Sequence, residues 1–346
     1  MRVIRREDQR SVPPHGRSLI ADMIQALERR RHIFRTVAQN LLTYGIAGGI
    51  IWYETRDISV SQLLNSIRTV DLRWFIPATL VSVCIWYFGE TLLYARMFTY
   101  FHEHTGYIEL MPATAAAYFL QVVNILVAAG ALVLFLHRRK NATWSAASFT
   151  ILFLGFIDGF LLSLLTLLSG LFIKDSPLHR FLPYAGAAFG ALTLVLFWWI
   201  RRQRWTRLEK WVRTRPALVS FRTASPSIYL ELSLIRLGIF VPQGFIFYVC
   251  MTAFHVGVPM LTVLAVTPAI LAAGGLPFTP VGLGPLQAVA VHELAHFAPA
   301  SRILGAFLLF SVFLLVYRLP LGLGSARFYV KTLLVPTPAT SKSSMQ

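Results

Sequence analysis

Nine apolar runs of 14 to 30 residues follow one another along this chain, and the short segments that join them carry most of its charge. They are Val37–Tyr53, Phe75–Phe98, Met111–Leu136, Trp144–Ile173, Leu182–Ile200, Ile228–Phe254, Pro259–Gly275, Pro285–Ala298 and Ile303–Leu323. A helix needs about 20 residues to cross the roughly 30 Å hydrocarbon core of a bilayer. Most of the runs approach that length, whereas the 14 residues of Pro285–Ala298 fall short of it. Only 14% of the 346 residues are charged, against about 25% in a soluble globular domain. The pattern excludes an ordinary soluble enzyme and predicts an all-α, polytopic transmembrane bundle.

Basic residues set the direction of each crossing. Nine arginines lie in residues 1–36, a knot follows at Arg138, Arg139 and Lys140, and eight more basic residues lie between Arg201 and Arg222. Lys and Arg beside membrane helices favour the cytoplasmic side, where each is drawn to anionic headgroups by roughly 1 kcal/mol. Membrane lipids are therefore the expected partners, and nucleic acid is not. The head is too long and too Arg-rich for a signal peptide, and no small-residue cleavage site follows Tyr53, so the first run reads as an uncleaved span. With the head inside, two crossings return the chain to the cytoplasm near Tyr100. If Met111–Leu136 crossed, the Arg138 knot and the later basic stretch would both lie outside. If that run instead enters and returns, bending between Asn124 and Gly130, every basic cluster is cytoplasmic. The charges thus predict a re-entrant hairpin, whose irregular backbone must be satisfied by protein or water.

A second break, Leu276 to Gly284, holds two prolines and two glycines. Parity is the same whether the flanking runs form a hairpin or two crossings. A broken hairpin in each half, entered from opposite faces, is the pattern of an inverted repeat with its substrate site where the breaks meet. The expected organisation is a basic head at 1–36 and a transmembrane domain at 37–330 containing a basic interfacial loop at 201–227. A disordered tail at 331–346 completes it. Both termini are expected inside the cytoplasmic (inner) membrane. Leu19, Ile20, Met23, Ile24 and Leu27 share one helical face, and Trp205, Leu208, Trp211 and Val212 another; both read as surface-lying amphipathic helices.

Charges at membrane depth cost about 2.5 to 3.5 kcal/mol each on insertion scales, so they are compensated, functional or both. Glu90, Asp158, Glu231, Arg236, Glu293 and Arg318 lie within or beside apolar runs. Asp158 sits mid-run and is the leading candidate, with Arg236 or Arg318 as its counter-ion across the bundle. Either arginine suits a lipid phosphate, because a guanidinium can grip an oxyanion with two parallel bonds. Snorkelling is the alternative, favoured for Arg318 because Pro320 signals a helix end. Asn124 can cap a broken helix or touch substrate. Pro277, Gly282 and Gly284 expose backbone N–H groups ahead of a helix starting at Pro285, which suits an anionic headgroup.

One motif argues for different chemistry. His292-Glu293-Leu294-Ala295-His296 places two imidazoles one helical turn apart with a Glu between, the zincin spacing of an intramembrane metalloprotease. A third ligand is not apparent, Pro299 ends the helix soon after, and an interfacial helix end is the alternative. Cys84 and Cys250 both lie inside apolar runs and form no ligand cluster. No metal or other cofactor is expected.

The residues of both breaks resemble those of the lysylphosphatidylglycerol synthase transmembrane region, a family of flippase-like membrane proteins. Leu276, Pro277, Thr279, Gly282, Leu283, Gly284 and then Arg318 resemble its second break and following helix. Arg96, Asn124, Gly130 and Asp158 resemble its first half. The resemblance spans about residues 37–330. It departs at Val127, Ala131, Phe153, Leu154 and Gln287, where the family carries proline, acidic or basic residues. The buried charges and the resemblance together point to substrate contacts at Asn124, Gly130, Asp158, Arg236, Pro277, Gly282, Gly284, Gln287 and Arg318, and the resemblance implies movement of a lipid between leaflets without catalysis. The apolar departures imply a less cationic or less charged lipid than lysyl-phosphatidylglycerol. A non-catalytic subunit working beside lipid-synthesis enzymes is the remaining alternative.

Overall fold

The computed structural model describes residues 59–122, 124–170, 182–201, 219–276 and 282–334, with Gly45, Gly49, Trp52 and Arg56. The chain divides into units at 1–45 and 46–346, and the described helices lie in the second. The basic head, most of the 201–227 loop with its amphipathic face, the tail beyond Leu334 and Pro277 lie outside the described residues.

Eleven helices and no strand occur among the described residues. They are α1 (Val60–Arg68), α2 (Leu72–Phe101), α3 (Tyr107–Gln121), α4 (Ile125–Arg139), α5 (Trp144–Ser169), α6 (Leu182–Arg201), α7 (Val219–Thr223), α8 (Pro226–Ala253), α9 (Met260–Gly274), α10 (Pro285–Leu294) and α11 (Ala300–Leu334). Helices α2, α5, α8 and α11 are long and apolar enough to cross a membrane. Side-chain oxygens open most of the well-defined helices by accepting from backbone N–H groups, which satisfies donors the helix cannot. Ser59 accepts from Gln62, Asp71 from Arg73, Thr143 from Ala146 and Ser225 from Ile228.

The run Met111–Leu136 is not one helix. It belongs to α3 and α4, 15 residues and thus about 22 Å each, joined through an extended Asn124. The two pack together, and their outer ends meet. Lys140 Nζ, after α4, reaches His104 O ahead of α3 at 2.7 Å and Glu109 Oε2 at 3.2 Å. The chain therefore turns back on itself at the place expected from charge parity. The break is at Asn124 alone, because Gly130 lies on an exposed face within α4. In the second half, α9 has 15 residues and α10 only 10, shorter than the expected Pro285–Ala298 run. Neither can cross about 30 Å, and they pack as a hairpin.

Helix pairings repeat when the halves are exchanged. Helices α2 and α8, each ahead of a hairpin, pack on one another; α3 packs on α11, and α9 packs on α5. Helices α2 and α8 run antiparallel, since Ser225 N donates to Tyr100 Oη at one end (3.0 Å) and Asp71 N to Ala253 O at the other (2.9 Å). Lipid is as apolar as leucine, so membrane helices are held by close packing rather than by exclusion of water. Gly89 provides such closeness at the α2–α8 contact, where a Cβ would stand 2.7 Å from Ile239.

The apolar core is divided. One cluster joins the start of α2 (Phe75), the end of α8 (Phe247, Phe254), the α9–α10 hairpin and the first half of α11. The other joins the end of α2 (Phe98), the α3–α4 hairpin, the start of α5 (Phe153) and the start of α8 (Ile228). Each hairpin anchors one cluster, and the charged residues lie between them.

Two boundaries differ from expectation. Helix α11 continues through Pro320 to Leu334, past the expected tail boundary at 330. Helix α1 occupies a segment that contains no apolar run, and its Leu63 and Ile67 rest against Gly305 of α11.

Candidate functional site

Three of the four long helices supply one charge each to a common centre. Arg236, from α8, is only 4% exposed. Its Nε and Nη2 donate to the two carboxylate oxygens of Asp158 on α5 at 2.5 and 2.7 Å, a bidentate grip. Its Nη1 donates to Glu90 Oε1 on α2 at 3.1 Å. The carboxylates remain 24% and 15% exposed. Trp86 and Phe240 close over the guanidinium, with ring centroids 5.8 and 5.6 Å from its central carbon. Of the two counter-ions considered for Asp158, the structure selects Arg236. That arginine is consequently engaged by two carboxylates, and its fork is not open to a phosphate.

Arg318 is in a different condition. It is 7% exposed, and its Nε and Nη1 have no hydrogen-bond partner among the described residues. Its guanidinium lies over the ring of Tyr118, 4.9 Å from the centroid. Tyr118, near the inner end of α3, is itself buried, and its hydroxyl is also unpartnered. Leaving a buried polar group unpaired costs about 1 to 3 kcal/mol, more for a charged one. Three such groups side by side are a cost the fold would carry without return unless something completes them. The helix end expected at Pro320 does not form, so Arg318 does not snorkel to an interface.

Gln243 of α8 extends the polar layer. Its Oε1 accepts from Ser82 Oγ at 2.7 Å and Trp86 Nε1 at 2.9 Å, and its Nε2 is unpartnered among the described residues. Glu90, Tyr118, Trp86 and Gln243 belong to this centre, and none was among the sequence-derived site residues. For Glu90 the signal was present, as a carboxylate inside an apolar run.

The other candidates have structural tasks. Asn124 Oδ1 accepts from Leu126 N at 2.7 Å and caps α4. Gly282 and Gly284 adopt φ of +72° and +94°, a region that disfavours residues with a Cβ. Gln287 is fully buried; its Oε1 accepts from Gly284 N at 2.7 Å, and its Nε2 donates to Ser311 Oγ at 3.0 Å on α11. These residues build the second hairpin and tie it to α11. Gly130 is exposed and has nothing within 4 Å of where a Cβ would stand. Arg96 pairs with Glu231 at 3.5 Å on an exposed face.

Among the described residues, the two histidines of the zincin spacing gain no third ligand. Helix α10 ends at Leu294, so His296 lies in the turn beyond it. His292 and His296 are exposed, while Glu293 is buried, so the would-be base and ligands face different surroundings. No group of three His, Cys, Asp or Glu side chains among the described residues could hold a metal ion.

These features define a class: a multi-pass helical membrane protein with a buried charged layer between two hairpin-anchored cores. The chain belongs to the family described as the lysylphosphatidylglycerol synthase TM region, whose model matches residues 40–322. The match covers all four long spans up to residue 322 and both hairpins, and it agrees with a lipid-related role in the membrane. A comparison with curated proteins finds no match.

Proposed function

We propose that this protein moves a phosphate-bearing lipid, or a lipid-linked molecule, between the leaflets of the cytoplasmic membrane without changing it chemically. The observation that carries this reading is Arg318, a buried guanidinium with two unpartnered donors beside the unpartnered hydroxyl of Tyr118. A phosphodiester supplies the acceptors these donors lack, and a charge-assisted bond to such an oxyanion is roughly twice as strong as a neutral one. The acyl chains would stay in the bilayer. In this reading the end bearing Arg138, Arg139, Lys140, Arg222, Arg327 and Lys331 is cytoplasmic. The hairpin α3–α4 is then re-entrant from the inside and α9–α10 from the outside. The reciprocal pairings α3–α11 and α9–α5 support an inverted repeat, in which rocking one half against the other exposes the centre to each leaflet in turn. The Asp158–Arg236–Glu90 group sits where such halves meet. Enzymes that make the lipid are the natural partners.

The test is leaflet exchange of fluorescent phosphatidylglycerol in vesicles containing the purified chain, read by dithionite quenching. Wild type accelerates exchange, and Arg318→Ala abolishes the acceleration. Exchange that survives both Arg318→Ala and Asp158→Ala would remove this centre from the function.

A further inference from the structure

Among the described residues, the central layer holds four charged groups whose formal charges cancel. Arg236 and Arg318 contribute two positive charges, and Asp158 and Glu90 two negative ones. The cancellation is uneven in space, because both carboxylates sit on Arg236 while Arg318 has an aromatic ring for its nearest partner. Arg318 is therefore balanced at a distance, and Glu90 lies within electrostatic reach of it as well as of Arg236. The empty donors of Arg318 and the charge sum pull in opposite directions. Seating a singly charged phosphodiester there completes the hydrogen bonds but leaves the buried layer with one excess negative charge, which a low-dielectric interior opposes strongly.

We infer that seating a net-anionic headgroup at Arg318 is coupled to uptake of a proton by Glu90. This rests on the Arg318 reading given above. The groups around Glu90 identify the acceptor. Among the described residues, α8 presents Arg236, α5 presents Asp158, α3 presents Tyr118, α11 presents Arg318, and α2 itself adds Tyr94. The tyrosines are neutral acids with no charge to give up to an added proton, and the arginines stay protonated. Two carboxylates remain. Asp158 is gripped through both oxygens at 2.5 and 2.7 Å, so protonating it breaks the bidentate pair. Glu90 is held through one oxygen at 3.1 Å, and its second oxygen can take a proton while Arg236 keeps that bond. The proton comes from the aqueous phase, an O–H bond forms on Glu90, and headgroup plus proton enter the layer as an electroneutral pair. A zwitterionic headgroup, which brings its own cation, creates no such demand. The coupling therefore applies to anionic phosphodiester lipids, and a proton gradient is a ready source of energy for their movement.

Calorimetric titration of the purified full chain with short-chain phosphatidylglycerol, in two buffers of equal pH and different protonation enthalpy, counts the protons. Wild type should take up about one proton per bound lipid, and its affinity should weaken by about tenfold per pH unit where that uptake is complete, since binding and protonation are reciprocally linked. Glu90→Gln should bind phosphatidylglycerol with no uptake and a flat pH profile. Phosphatidylcholine of equal chain length should cause no uptake in either protein. Binding by wild type without proton uptake overturns the inference, as does undiminished uptake in Glu90→Gln. If Glu90→Gln does not fold, the wild-type profile decides, because a flat one overturns the coupling. Failure of wild type to bind phosphatidylglycerol, or unchanged binding by Arg318→Met, instead removes the anion seat at Arg318.

Discussion

Helices α5 and α11 occupy corresponding places, each following a hairpin of its own half and packing on the first arm of the other. Each carries an ionised side chain into the central layer, and there the likeness stops. Among the described residues, Asp158 of α5 meets a guanidinium that answers both its oxygens, while Arg318 of α11 meets only the face of Tyr118. One charge has been completed within the fold and the other left open. A protein that needed the layer only for stability would gain by closing both, since a buried charge without a partner is the costliest kind. Under the proposed function, the asymmetry would give stability to the α5 side and binding to the α11 side.

The largest test of that division compares two truncations. Removing one partner of a buried ion pair costs about 3 to 5 kcal/mol, because the other charge stays buried. Asp158→Ala leaves Arg236 with Glu90 alone and should lower the unfolding midpoint in detergent sharply. Arg318→Met deletes an incompletely bonded charge and keeps an apolar stem of similar length, so stability should stay level or rise while lipid exchange stops. Equal destabilisation by both changes would erase the distinction.

A second comparison concerns the two breaks. Gly282 has φ of +72°, and a Cβ there would stand 2.6 Å from the Cα of Gly274 across the hairpin. Gly282→Ala should therefore destabilise by about 1 to 3 kcal/mol, the range for a residue forced into that backbone region, with the clash added. Gly130→Ala, on an open helical face, should stabilise by about 0.5 to 1 kcal/mol. Thermal unfolding of the two variants separates a glycine needed by the turn from one that is not.

The contrast between the breaks also shows what the sequence could reveal. That the first run folds back was legible from the knot at Arg138, Arg139 and Lys140, which asks the chain to return to the side it left, and the break of the second from the prolines and glycines that interrupt it. Asp158 and the candidate pairing with Arg236 were legible for a related reason, as charges in apolar runs demand partners. The second carboxylate on Arg236 was not, because Glu90 lies 146 residues away and nothing local gives the rotation of α2 against α8. Tyr118 was hidden among ordinary aromatic residues. Pro320 misled because local breaking power was outweighed by the packing of α11 against α3 and α10. Gly130 looked like part of a bend, yet the turn is made by Asn124 with its side-chain cap.

That cap sets a smaller test of the first hairpin. Asn124→Ala leaves Leu126 N without its acceptor and should cost about 1 kcal/mol, as N-cap deletions do, whereas Asn124→Asp restores an acceptor and should return most of the loss. If Asn124 were held for substrate rather than for the helix, both variants would unfold like wild type and differ only in lipid exchange.

The smallest effect lies at the end where α2, α5 and α7 meet. His102 follows α2, and its Nε2 stands 3.0 Å from Thr150 Oγ1, which also bonds Ser220 Oγ at 2.9 Å. Burial pushes the imidazole below its ordinary value of 6.5, and the neighbouring Glu103 offsets only part of that. A lowered folded value means the unfolded chain binds more protons near pH 6, so stability rises with pH there. The penalty is absent above about 6.5, grows as the pH falls through that value, and is complete once the folded imidazole protonates. Unfolding midpoints measured between about pH 5 and 8 should therefore fall on the acid side in wild type, and the fall should shrink in His102→Gln, which keeps a polar partner for Thr150 but does not titrate. An unchanged acid slope in the variant would place the pH sensitivity of this end elsewhere.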